Sequence, residues 1–119
     1  TVFCARRDTG EKKSYKLESA SSKLSRLLDK IQTNMFNQAF EFREKNTFSA
    51  KDYEEFKSLI KKGGFIRCGW DGNPESESAI KKETKATIRC ILLDEKTTDK
   101  KCVYSGNPAK HEVIFARAY

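Results

Sequence analysis

The chain has 119 residues, 37% of them hydrophobic and 11% aromatic, enough for one modest core and too many for a disordered tail. Lys and Arg number 24 against 17 Asp and Glu, a net charge of +7, which leaves two readings open: a polyanionic partner such as nucleic acid, or a solvated basic surface. No run approaches the ~18 consecutive apolar residues of a membrane helix, there is no secretory signal, and the four cysteines contain no Cys-x2-Cys pair, so reduced thiols in a cytosolic protein are expected.

The chain opens with TVFCARRD, an apolar start that reads as the interior of a domain, so a piece of a longer protein is expected. Val2, Phe3 and Cys4 predict one strand and Tyr15 to Leu17 another, with Asp8-Thr9-Gly10 as turn chemistry between them. Such a hairpin is not stable alone and implies a larger sheet. Arg6, Arg7, Lys12, Lys13 and Lys16 cluster within it. They fit either a solvated hairpin or a contact with phosphates that positions an RNA without reading its bases.

Ser21 or Ser22 is a good N-cap, and Leu24, Leu27, Leu28, Ile31, Met35, Ala39 and Phe42 follow at helical spacing. Phe36 and Phe40 widen that stripe, and the helix is expected to run about six turns, to near Asn46. So wide a stripe predicts burial against two bodies, as in a connector between domains. Ser49, with Asp52 three residues on, predicts the cap of a second helix with Tyr53, Phe56, Leu59 and Ile60 inward and Gly63-Gly64 as its stop. Phe65 to Trp70 is expected as a strand, Asp71 to Pro74 as a turn and Glu75 to Lys85 as a short helix. ATIRCILL, residues 86–93, predicts a strand central in its sheet, and two more strands are expected at Lys101–Tyr104 and Val113–Ala118. This order predicts an α+β fold: a two-layer α/β sandwich with a mixed sheet, preceded by a long helix and a β-hairpin.

Little here carries catalysis. GxxxxGK[ST] is absent, one histidine is thin material for acid–base work, and Glu75 and Glu77 read as a solvated helix face. KCVYSG, residues 101–106, has the form of half a zinc knuckle in which Ser105 stands where a second thiolate belongs.

RRDTGEK at the start, FIRCGWDGNPESESAIKKETKATIRCILLDE in the middle and KCVYSGNPAKHEVIFARAY at the end together resemble the C-terminal part of prolyl-tRNA synthetase, in the form shared by archaea, eukaryotes and some bacteria. The resemblance covers essentially the whole chain. It implies that residues 1–20 end an anticodon-binding domain, that 21–48 are a connecting helix, and that 49–119 are a small α+β domain. Many members hold a structural zinc there with four cysteines. The corresponding positions here are Asp71, Ser76, Cys102 and Ser105, only one of them a cysteine, so a hydrogen-bonded turn without zinc is expected. The resemblance further implies a cytoplasmic parent, a homodimer, that uses ATP and magnesium to join proline to tRNA(Pro). The segment itself is expected to be monomeric, to supply no catalytic group and to bring Arg6, Arg7 and Lys12 near tRNA. The terminal Tyr119 is either a carboxylate anchor reaching the parent's active site or a strand end that packs its ring. A stand-alone RNA-binding α+β module is the alternative function.

Overall fold

The computed structural model describes residues 1–94, 97 and 99–118, which fall into two compact units, Thr1–Glu44 and Lys45–Tyr119. In the first unit, β1 (Val2–Ala5) pairs antiparallel with β2 (Lys12–Tyr15), with Val2 opposite Tyr15 and Ala5 opposite Lys12. The turn closes through Arg6 N to Glu11 O at 2.7 Å and Gly10 N to Arg6 O at 2.9 Å. Gly10 takes φ +75°, a conformation that penalises a Cβ.

Helix α1 spans Leu17–Lys45, a turn earlier than Ser21 or Ser22 predicted. The serines do not cap it. Ser19 and Ser22 donate their hydroxyls to the carbonyls of Lys16 and Ser19, at 3.2 Å each, so they fold back onto the first turn. The expected burial of its apolar stripe does not occur within this unit. Ala20 is the unit's one buried residue among those described, while Leu28, Met35 and Phe36 are 67%, 58% and 67% exposed.

The second unit holds the core. Its sheet has the order β3-β4-β6-β5, where β3 is Thr47–Ser49, β4 Phe65–Trp70, β5 Ala86–Ile91 and β6 His111–Arg117. The β3–β4 pair is parallel and the other two are antiparallel, a mixed sheet as expected. Helices α2 (Tyr53–Lys62) and α3 (Pro74–Thr84) pack on it. Phe56 of α2 meets Phe115 of β6 edge-on at 5.2 Å, among Ile60, Ile66, Ile80, Ala86 and Val113.

Three further expectations need correction. Ser49 ends a strand rather than capping α2; Asp52 is the cap, its carboxylate accepting from Glu55 N at 2.9 Å. ATIRCILL forms β5, which ends at Ile91 and lies at the sheet edge, not its centre; a bulge between Ile88 and Cys90 turns its second half out to solvent. Residues 101–104 make no strand but join neighbours through single bridges, Cys102 with Gly69 and Lys101 with Pro108, because the chain reverses at once.

Candidate functional site

Strand β4 delivers Asp71 one residue past its end, and α3 begins at Pro74 with Asn73 as its cap. Proline suits that first helical position because its missing N–H would have no partner there. Ser76 therefore sits in the first turn of α3, buried and facing back toward Asp71. Asp71 Oδ2 accepts from Ser76 Oγ at 2.9 Å and from Ser105 Oγ at 2.7 Å. Its Oδ1 accepts from Asn73 N at 2.9 Å, and the nearby Cys102 thiol helps to favour the charged carboxylate. The four positions singled out in the sequence thus converge, although 34 residues separate Asp71 from Ser105.

The second loop is tied within itself. Cys102 N donates to Asn107 O at 2.7 Å and Gly106 N to Cys102 O at 3.0 Å. Ser105 Oγ accepts from Asn107 N at 3.3 Å, and Gly106 supplies the left-handed turn at φ +74°. Desolvation pushes the Asp71 carboxyl upward, but the bonds from Ser105, the Asn73 amide and Ser76, aided by Cys102, outweigh it and hold the group below the usual aspartate range.

This arrangement has the opposite polarity to a metal knuckle. Zinc is a cation ringed by four thiolate, imidazole or carboxylate donors. Here an acceptor carboxylate occupies the middle and hydrogen-bond donors surround it. One thiol, one carboxylate and two hydroxyls that both donate to that carboxylate do not fit zinc. Among the described residues no three His, Cys, Asp or Glu side chains lie close enough to share one ion. Cys68 does not help: it belongs to the core, and burial together with nearby Cys102 pushes its thiol up to about 12, far from the thiolate a metal requires. His111 lies against the Trp70 ring, 5.9 Å between centroids. Trp70 is half-buried and donates its Nε1 to Asn73 O at 3.2 Å, bracing the same loop.

The hairpin cations divide. Arg6 forks onto Asp8, Nε to Oδ1 at 3.0 Å and Nη2 to Oδ2 at 2.7 Å, and its side chain is only 16% exposed. Asn34 of α1 donates to the same Asp8 oxygen at 2.8 Å. The Arg6 bond, more than any other influence, brings the Asp8 carboxyl down to about 2. Arg6 therefore holds the turn onto α1. Arg7 and Lys12 are exposed and make no ion pair among the described residues, as are Lys13 and Lys16. Tyr119 lies outside the described residues.

One buried polar group was not anticipated. Glu112 of β6 has no exposed surface; Arg67 Nε donates to its Oε1 and Lys100 Nζ to its Oε2 at 2.6 Å. Burial pushes its carboxyl upward, but the two cations prevail and hold it below the ordinary glutamate range. The strand was expected to begin at Val113, leaving Glu112 in a loop; it begins at His111, and the ladder carries Glu112 inside opposite Gly69.

Comparison with known proteins identifies the family. The family described as prolyl-tRNA synthetase, C-terminal, matches residues 53–119. A proline–tRNA ligase of Cytophaga hutchinsonii is 48% identical over the whole chain, and one of Porphyromonas gingivalis is 47% identical over the whole chain. A third, from Prosthecochloris aestuarii, is 46% identical, again over the whole chain. The chain spans about a quarter of each relative's length, 24%, 24% and 26%. With more than half its residues matched and this identity throughout, the chain belongs to the prolyl-tRNA synthetase C-terminal family.

Proposed function

We propose that this chain is the C-terminal part of a proline–tRNA ligase and that it braces its parent and meets tRNA rather than catalysing. The observation that carries this reading is similarity along the entire chain to proteins of that name. The parent would be a cytoplasmic homodimer, joining proline to tRNA(Pro) with ATP and magnesium; the segment alone would be a monomer. No helix among the described residues is long and apolar enough to cross a membrane. In this reading Arg7 and Lys12 face tRNA phosphates, while Arg6 shapes the turn that presents them. The Asp71 cluster replaces a structural zinc, and the Tyr119 carboxylate anchors near the parent's active site.

The test is to express the chain with its upstream coding sequence and follow prolyl-tRNA formation. Charging of tRNA(Pro) with proline is expected, and deletion of Tyr119 should reduce it. Failure to charge that tRNA would refute the assignment, and full activity without Tyr119 would refute the anchor.

A further inference from the structure

A second cluster of cations lies in the Lys45–Tyr119 unit. Ser49, Ala50 and Lys51 follow one another at the end of β3, Arg67 to Gly69 lie on β4, and Asp99 to Lys101 run past them; together they line a hollow of about 290 Å3. That is just under the range of about 300–1,000 Å3 for small-molecule sites. Four of the lining side chains are cationic, Lys51, Arg67, Lys100 and Lys101, against the lining carboxylate of Asp99 and the buried Glu112 that two of them hold.

The hollow rests on built structure. Arg67 and Lys100 are both fastened to Glu112, which is wholly buried beneath them, yet their own side chains remain 41% and 42% exposed. A carboxylate taken completely out of water is weak evidence for stability, because its desolvation offsets much of the attraction. What the triad does deliver is two cationic heads held in place at the protein–water boundary. Arg67 bonds Glu112 through Nε, and guanidinium has four further N–H donors. Gly69 lets the neighbouring segment close in: a Cβ there would stand 2.5 Å from the Lys101 carbonyl oxygen. Lys51 and Lys101 are exposed and make no ion pair among the described residues.

We propose that this hollow is a phosphate-binding site that grips one phosphate of an RNA backbone. The inference rests on the reading of the parent as a tRNA ligase, and it adds a contact in the Lys45–Tyr119 unit to the one proposed for the hairpin. Arg67 would give the directional, forked contact, and Lys51 and Lys101 the surrounding charge.

The test measures binding of the 119-residue chain to a tRNA(Pro) transcript by fluorescence anisotropy over a range of salt concentrations. K51A/K101A spares the Glu112 triad, so its unfolding transition should match that of the unsubstituted chain. Its affinity should fall about tenfold at low salt, and the slope of log affinity against log salt should shrink by about one, as for loss of roughly one phosphate contact. K81A/K82A, which removes the same charge from exposed positions on α3, should change both much less. Equal losses in the two variants would reduce the hollow to general surface charge and overturn the proposal, as would binding of inorganic pyrophosphate at the hollow without any effect on RNA. R7A/K12A is run beside them: an unchanged affinity there counts against the hairpin contact and leaves the hollow standing.

Discussion

The two units handle apolar residues in opposite ways. Of the eleven buried apolar residues among those described, ten lie in Lys45–Tyr119 and only Ala20 lies in Thr1–Glu44. The first unit is a hairpin and a 29-residue helix whose Phe36 and Phe40 rings touch each other, 6.3 Å apart, and remain exposed. The second closes on itself through packing and through two carboxylates, Asp71 and Glu112, each saturated with donors. Helical periodicity declares that a face is apolar; it does not say what covers the face. Polar residues give no periodic signal, yet here they close a loop that apolar packing does not reach.

The sharpest way to break this contrast is a pair of phenylalanine truncations. Phe115→Ala should cost about 3–5 kcal/mol, since it empties a fully buried site. Phe36→Ala should stay within about 0.5 kcal/mol in this chain, because the ring is exposed. Trp70, the sole tryptophan, reports the second unit by fluorescence during guanidinium unfolding, and far-UV dichroism reports α1. Equal shifts for both variants would mean that the helix face is covered after all.

Next in size is Glu112→Gln, which leaves Arg67 and Lys100 without their shared anion and should cost about 3 kcal/mol. Its folded-state pKa is lowered, so its stabilisation is present above the ordinary glutamate value and lost as pH falls through the folded value. The gap between wild type and variant should therefore narrow in acid. A gap that stayed constant down to pH 3 would show that the charge was not what mattered.

Asp71→Asn should be milder, about 1–3 kcal/mol, because the amide keeps one acceptor oxygen where the carboxylate has two. The lowered Asp71 pKa gives the same sign, with stability present above the ordinary aspartate value and lost on acidification below it. A variant as stable as wild type at pH 7 would demote the carboxylate from hub to bystander.

Much of the second unit was legible because its signals are local. Gly63-Gly64 stops α2, and β4 runs from Phe65 to Trp70 as its composition predicts. Convergence of Asp71, Ser76, Cys102 and Ser105 followed from the family spacing, and the hydrogen bonds supply its physical cause. What escaped was non-local. Thr47–Ser49 is too short to announce a strand and exists because Asn46 and Ala50 bond to Phe65 and Arg67 of β4. The edge position of β5 depends on β6, twenty residues downstream, inserting beside β4. Arg6 looked like its neighbour Arg7, and only the fold of the turn, with Asn34 brought up from α1, commits it to Asp8.

The central claim is that a hydrogen-bonded carboxylate, not a metal ion, ties the Asp71 and Ser105 loops together. Metal analysis of protein purified in zinc-supplemented medium, paired with thermal unfolding with and without a chelator, tests it most directly. The account predicts well under one zinc per chain and a melting temperature that the chelator leaves unmoved. One equivalent of tightly held zinc, whose removal lowers the melting temperature, would contradict it.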